Sequence, residues 1–415
     1  MSKKNRLSTD SYKGVRDFYP ADQSFLNYLT ATMRRVAERF GYVEYHASVL
    51  EPAELYRAKG AENEEIAKEQ TYTFVDRGGR EVTLRPEMTP TAARMVAARR
   101  RELGYPLRWY SIPNLFRYER TQRGRLREHW QLNVDLFGSD SRGADAEIIM
   151  VAHALLKAFG ATESDFVIKL GSRQFLDSVV DKMGLSPDQA KKLRSVIDRR
   201  SKVEQAQFEK DLQEIGVALE ILSPENPPED VAEVLALLKN LGINNAVFDP
   251  SIVRGFDYYT GVVFEVFDTH PDNSRALLGG GRYDNLLQLF DDERVPGVGF
   301  GMGDVTIRDF LEVRHMLPEY VPPTKVYVAV AGQELASEAM KLTGELREQG
   351  VATATDFGER KLSKQIEAAS KHSIPYLLVV GEDELESGSF KVKDLATGEE
   401  KKLSREALSQ FFLNL

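Results

Sequence analysis

The sequence predicts an α+β domain built on an antiparallel sheet flanked by helices, interrupted by a helical insertion and followed by a small α/β domain. Three observations carry this. Residues 107–116 and 132–137 are β-rich runs joined by a polar, basic segment containing Gly124, the pattern of an antiparallel pair with a long functional loop. From about residue 170 to 244 the chain turns charge-rich with helical spacing, the mark of an insertion. Past a stretch with three prolines at 318–323, strands and helices alternate, as in an α/β unit with mostly parallel strands. The expected boundaries are 1–320 for the first domain, with its insertion at about 170–244, and 325–415 for the second.

In chain order, residues up to about 20 read as an arm entering a turn. Leu26, Leu29, Met33, Val36 and Phe40 recur at helical spacing over 26–40, and 42–50 is rich in β-formers. Runs 71–76 and 80–84 flank Arg77-Gly78-Gly79, a hairpin signal. Residues 90–103 and 145–159 read as helices. Within the insertion, 173–183, 187–197 and 231–241 are helical and 224–228 is a loop. Strand signals return at 245–248 and 261–267, before two glycine clusters. In the second domain, strands at 325–331, 351–355 and 376–380 alternate with helices at 334–349 and 362–371, and 390–394 precedes a Thr397-Gly398 turn.

With 415 residues, 42% hydrophobic and 29% charged, the chain is a globular protein of two or three domains. A net charge of −9 argues against a sequence-blind polycation on nucleic acid, while local basic patches stay compatible with RNA. The absence of cysteine excludes disulfides, thiolate nucleophiles and sulfur-ligated zinc. None of the six histidines forms an i, i+4 pair, which points away from a zinc hydrolase. The opening MSKKNRLSTDSYKG lacks the apolar core of a signal peptide, and no apolar run approaches the roughly 20 residues of a membrane span. A cytoplasmic enzyme without a membrane partner is the expectation.

Four segments carry chemistry. FRYERTQRGRLREHWQ (116–131) holds Arg117, Arg120, Arg123, Arg125 and Arg127, whose guanidinium forks match phosphate oxygens. Arg117, at a strand end, is placed to be held rigidly; the alternative for the loop is a solvated basic surface. IVRGFDYYTGVVFE (252–265) sets Arg254, Asp257, Tyr258 and Tyr259 before an apolar strand, either lining a pocket for a small polar, flat substrate or packing at a strand start. Glycines 279, 280, 281, 297, 299, 301 and 303 permit close backbone approach to a base or phosphate, or simply strand packing; the spacing fits neither a P-loop nor a dinucleotide fingerprint. In TLRPEMTP (83–90), Glu87 and Thr89 suit an ammonium group, while Thr89-Pro90 equally suits the start of a helix.

Together these segments resemble the class II aminoacyl-tRNA synthetases, and among them the histidine–tRNA ligases, over almost the whole chain. KGVRDFYP (13–20) resembles the family's N-terminal signature, TLRPEMTP its amino-acid-binding strand, 116–138 its motif 2, VRGFDYY (253–259) a signature of the histidine enzymes, and the stretch after Pro323 an anticodon-binding domain. The resemblance implies ATP as substrate with Mg2+, L-histidine and tRNA(His) as partners, a histidyl-adenylate intermediate and a homodimer. It implies that Arg117 grips the α-phosphate and Arg254 stabilises its developing charge. Glu87, Thr89 and Gln131 would hold the substrate ammonium. Asp135 and Tyr259 would hydrogen-bond the imidazole, with Tyr258 lining the pocket. Glu119 would lie on the adenine and magnesium side, with Gly301 and Gly303 beside the nucleotide. Fixed cations aimed at charge developing in an in-line displacement on phosphorus lower its barrier.

Two positions depart from the family pattern. Ser48 stands where motif 1 usually has a proline, which bears on the dimer interface. Thr306 stands where motif 3 places an arginine, and Arg308 lies two residues on, rotated by roughly 200° along a helix. The loop arginines Arg123 and Arg125 are therefore expected to take more of the triphosphate. Two rival readings follow from the same likeness: a non-catalytic, histidine-sensing regulatory subunit of ATP phosphoribosyltransferase, and an RNA-binding sensor on a synthetase-like core. Intact VRGFDYY, the C-terminal domain and retention of both Arg117 and Arg254 oppose them. Arg360, Lys361, Lys364 and Gln365 are expected to face the anticodon, and the basic run 191–202 to support the acceptor stem.

Overall fold

The computed structural model describes residues 7–58, 70–120, 124–198, 200, 203–222, 226–253, 258–357 and 360–415. The chain divides into two compact units, Met1–Tyr19 with Phe25–Pro318 and Pro20–Ser24 with Glu319–Leu415.

In the first unit, the strands of the large sheet are β1 (Val43–Glu44), β5 (Leu107–Ser111), β6 (Asn114–Phe116), β7 (Glu128–Phe137), β8 (Phe166–Ser172), β9 (Ala246–Phe248), β10 (Val262–Asp268), β11 (Ala276–Arg282) and β12 (Gly297–Gly303). Their order is β1-β5-β7-β12-β11-β10-β8-β9, with β6 also pairing β7. Pairings are antiparallel except the two edges, β1 with β5 and β8 with β9. A smaller antiparallel sheet joins β2 (Leu50–Pro52), β4 (Glu81–Leu84) and β3 (Tyr72–Val75), with the expected hairpin closed by Asp76 Oδ1 accepting from the backbone of Gly78 and Arg80.

The period-two alternation of strands divides the large sheet into a core face and a site face. Leu132, Val134 and Leu136 of β7, and Val298, Phe300 and Met302 of β12, enter one apolar core. That core is closed by the helices Pro20–Arg39, Arg142–Ala158, Glu229–Asn240 and Asp304–Val313. The alternate positions, Gln131, Asn133 and Asp135 on β7 and Gly297, Gly299, Gly301 and Gly303 on β12, therefore lie on the other face. A Cβ at Gly301 would meet Gln131 Cδ at 2.9 Å, and one at Gly281 would meet Val263 Cγ1 at 2.7 Å. Both glycine clusters are thus strand interiors whose missing side chains leave room above the sheet.

Several elements run differently from their sequence signals. The first helix begins at Pro20, where a proline is pre-set for the first helical position. The helix predicted to reach residue 103 stops at Ala98. Of the β-rich run 42–50, only Val43–Glu44 and the start of β2 are strand. The helices Arg173–Met183, Pro187–Asp198 and Gln205–Ile215 share a separate core around Leu193, Phe208 and Leu212, whereas Glu229–Asn240 packs Val231, Val234 and Leu238 into the main one.

The second unit is a mixed sheet in the order β14 (Thr353–Thr355), β13 (Val326–Val330), β15 (Tyr376–Val380), β16 (Ser389–Asp394), β17 (Glu400–Ser404). Only the first three strands are parallel, so the expectation of a mostly parallel sheet is corrected. β16 returns antiparallel to β15 after the short helix Glu382–Ser387, and the tight turn after Asp394, whose Oδ1 accepts from the backbone of Ala396 and Thr397, folds β17 back on β16. Helices Ala336–Glu348 and Arg405–Leu413 cover one face, and Leu362–Lys371 the other.

Candidate active site

On the site face of the large sheet two chambers meet. The larger, about 220 Å3, is bounded by Arg117, Glu119, Arg125, His129, Gly301, Gly303 and Thr306. The smaller, about 110 Å3, is bounded by Glu87, Thr89, Gln131, Asn133, Tyr258, Tyr259 and Tyr283. Arg117 and Gln131 line both. Arg117 follows β6 directly, and two contacts hold it: its Nε donates to the Pro86 carbonyl and its backbone N–H to the Arg127 carbonyl, each at 2.9 Å. The guanidinium is thereby oriented before any ligand arrives.

The smaller chamber is acidic and aromatic. Glu87 is buried, and its Oε2 accepts from the Tyr258 hydroxyl at 3.1 Å. The ring centroids of Tyr258 and Tyr259 lie 4.9 Å apart, and Tyr283 and Tyr258 meet edge to face with centroids 5.8 Å apart. Asp135 reaches this chamber through Tyr283, whose hydroxyl donates to its Oδ1. Its other oxygen, Oδ2, is buried without a hydrogen-bond partner among the described residues. Burial pushes the Asp135 carboxyl up to about 7, while the Tyr283 hydrogen bond works in the opposite direction. Burial and the neighbouring Asp135 charge raise Tyr283, keeping it a donor. An acidic pocket with aromatic walls and an unfilled acceptor suits a small cation carrying a ring N–H.

The larger chamber has the character of a nucleotide site. Arg125 pairs with Glu119 at 3.2 Å. Burial, with the charges of Arg117 and Arg16, pushes His129 down to about 3, so it is neutral near pH 7. The Thr306 hydroxyl donates to the Leu277 carbonyl at 2.9 Å, and Arg308 lies over the Phe25 ring at 5.2 Å, away from the residues lining the chamber. Arg127 packs on Tyr118 at 4.0 Å and its backbone N–H bonds the Gly14 carbonyl at 2.7 Å, so it secures the loop to the N-terminal segment. Arg16 anchors the same segment to Asp304 at 2.6 Å, and Asp304 accepts from the Trp130 backbone at 2.9 Å.

Of the sequence-predicted site residues, Glu87, Thr89, Arg117, Gln131, Tyr258 and Tyr259 come together in the smaller chamber, and Arg117, Glu119, Arg125, Gly301 and Gly303 in the larger. Arg123, Arg254 and Asp257 lie outside the described residues. The sequence reading missed Tyr283, Asn133 and His129. Tyr283 was available as the aromatic residue two places after the GGG run, and His129 and Asn133 as neighbours of Gln131.

The sequence pattern of the histidyl-tRNA synthetase family matches residues 14–305, and that of an anticodon binding domain residues 325–415. The histidine–tRNA ligase of Leptospira biflexa is 42% identical over 417 aligned residues, spanning 95% of each chain. The chain belongs to the histidyl-tRNA synthetase family. As a member it is an aminoacyl-tRNA synthetase, a ligase that uses ATP as substrate. The fold agrees: histidyl-tRNA synthetase from Nostoc sp. superimposes with a TM-score of 0.81 at 24% identity, over 99% of this chain and 100% of that one. A Bacillus halodurans chain described as an ATP phosphoribosyltransferase regulatory subunit/histidyl-tRNA synthetase gives 0.71 at 23% identity, over 90% and 98%. At that identity the likeness concerns fold alone, and the regulatory-subunit alternative gains no better support from it.

The anticodon-binding domain corrects one expectation of the sequence. Gln365 is buried, donating to the carbonyls of Val330 and Arg360 and accepting from the Val330 N–H, so it holds a helix to β13. Lys361, Lys364 and Lys371 do line a surface groove with Arg360, which is itself tied to Asp356 at 2.6 Å. In the run 191–202, Lys192 pairs with Glu214 at 3.2 Å and Arg194 with Asp177 at 2.7 Å, which reduces its net positive charge; residues 199, 201 and 202 lie outside the described set. Among the described residues no helix is long and apolar enough to cross a membrane.

Proposed function

We propose that the chain joins L-histidine to tRNA(His) in two steps. The histidine carboxylate attacks the α-phosphorus of ATP, the bond to the β-phosphate oxygen breaks, and diphosphate leaves with histidyl-adenylate formed. A ribose hydroxyl at the tRNA end then attacks the acyl carbon, and AMP leaves. The observation that carries this reading is Arg117, fixed by Pro86 and shared by the acidic chamber and the larger one, where a reacting phosphate would sit between amino acid and nucleotide.

In this reading Glu87, Thr89 and Gln131 hold the substrate ammonium, and Tyr258 orients Glu87. Tyr259 and the Asp135–Tyr283 pair recognise the imidazole, the orphaned Asp135 Oδ2 being the acceptor such a ring completes. Arg117, with Arg254, stabilises charge at the α-phosphate. Arg123 and Arg125 serve the outer phosphates, and Gly301 and Gly303 let the nucleotide approach the sheet. Mg2+ entering with the triphosphate fits Glu119, since this ion takes one or two carboxylates beside phosphate oxygens and neutralises their charge. Residues 1–320, with the insertion at about 170–244, form the catalytic domain, and 325–415 read the anticodon. The active form is a cytoplasmic homodimer.

Charging assays test this. Purified protein with ATP, Mg2+ and labelled histidine is expected to acylate tRNA(His) and leave other tRNAs uncharged; folded protein that charges no tRNA with histidine contradicts it.

A further inference from the structure

Among the described residues, the larger chamber offers few cations to a triphosphate. Among the described residues its lining holds two arginines: Arg117 lies at the junction with the smaller chamber, and Arg125 is paired with Glu119. His129 is neutral near pH 7, and Thr306 spends its hydroxyl on the Leu277 carbonyl. ATP brings about four negative charges, and anions of this kind are held by guanidinium groups.

We propose that Arg275 supplies a further cation and, beside Arg123 and Arg125, binds the outer phosphates of ATP. This rests on reading the larger chamber as the nucleotide site. Arg275 immediately precedes β11, next to Ala276, which lines the chamber, and two residues before Leu277, whose carbonyl takes the Thr306 hydroxyl. Its side chain lies against Gly124 of the arginine-rich loop. Its Cδ lies 3.1 Å, and its Nε and Nη1 3.5 Å, from where a Cβ on Gly124 would stand. Gly124 lines the chamber and has a φ of +75°, so glycine there serves both the loop's left-handed backbone and the passage of the arginine. Position 306 and Arg275 thus stand beside one strand end, and the cation that a helix residue would project is carried by the neighbouring strand instead. Arg308, over Phe25, is committed elsewhere.

Histidine-dependent exchange of pyrophosphate into ATP, measured at varied ATP and varied histidine, tests the assignment. Arg275→Ala is expected to raise the KM for ATP about tenfold or more, the loss typical of a hydrogen bond to a charged group, with the KM for histidine unchanged. Arg275→Gln, which keeps the stem of the side chain, should show the same selective defect. Adding Thr306→Arg to Arg275→Ala should recover much of the ATP affinity, because the new guanidinium enters the same chamber. An unchanged KM for ATP in both single variants, or an equal rise in both KM values, overturns the role of Arg275 while leaving the ligase reading intact. Absence of exchange in the wild-type protein removes the nucleotide-site reading on which the proposal stands.

Discussion

The hydroxyl of Tyr258 donates to Glu87 Oε2 at 3.1 Å, although 171 residues separate the two in sequence. The contact joins the end of the VRGFDYY signature to TLRPEMTP and fixes a buried carboxylate toward the smaller chamber. Tyr258→Phe removes the donor, and Glu87→Gln removes the charge while keeping an acceptor. Both are expected to raise the KM for histidine, about tenfold or more for Glu87→Gln, with little change in the KM for ATP. Steady-state exchange kinetics read this directly; a rise confined to ATP contradicts the assignment.

Asp135 gives stability a pH dependence of defined sign. Its carboxyl ordinarily titrates at 3.8 and is pushed up to about 7 in the fold by burial. Between those values the folded chain keeps a proton that the unfolded chain has released. The associated stability is full below the lower value and is lost as pH rises through the upper one. Asp135→Asn abolishes this titration while keeping an acceptor for Tyr283. Its denaturant midpoint relative to wild type should therefore climb from about pH 4 to pH 7. A difference that stays flat across that window rejects the protonation state inferred for the site.

Gly299 marks how little room the smaller chamber leaves. A Cβ there would collide with Asp135 Oδ1 and the Val134 carbonyl and stand 3.0 Å from the Tyr283 hydroxyl. Gly299→Ala should destabilise the protein by about 1–3 kcal/mol and weaken histidine more than ATP. Calorimetry alongside exchange kinetics separates the two effects.

Arg282 is buried beneath the site, its Nε bonded to Asp145 Oδ1 at 2.8 Å and its Nη1 to the Ser139 carbonyl at 2.9 Å. Both side chains of the pair are almost fully enclosed. Arg282→Ala leaves the buried Asp145 with only the longer pair to Arg142, at 3.7 Å, and is expected to cost about 3 kcal/mol in chemical denaturation. A loss within a few tenths would mean that water replaces the guanidinium.

How far the sequence is legible differs by residue. Local composition leaves Arg117, Glu87 and the tyrosine pair open to a bland reading as well as a functional one; the family likeness favours the second, and the fold brings them together. The glycine clusters are ambiguous in sequence because either a ligand or a facing strand explains them. Only the register of β12 against β7, which sets Gly299 beside Asp135 and Gly301 beside Asn133, shows that they clear the floor of the site. Tyr283 hides in the same stretch because its partner, Asp135, is 148 residues away. Gln365 misleads in the other direction, since a polar residue on a charged helix reads as exposed. Its spacing from Ala369, one helical turn on and also buried, is the signal for its true side. In the second unit the turn after Asp394 has the short reach of a hairpin and pairs β17 with β16, whereas nothing local in the sequence marks β16 as antiparallel to β15.

In the proposed reaction the two chambers meeting at Arg117 activate histidine with ATP. Exchange of labelled pyrophosphate into ATP, run with each amino acid separately and no tRNA, measures that step alone. Exchange is expected with histidine, and its loss in Arg117→Ala with the fold intact. Folded wild-type protein that shows no exchange, or exchange driven by a different amino acid, would contradict it.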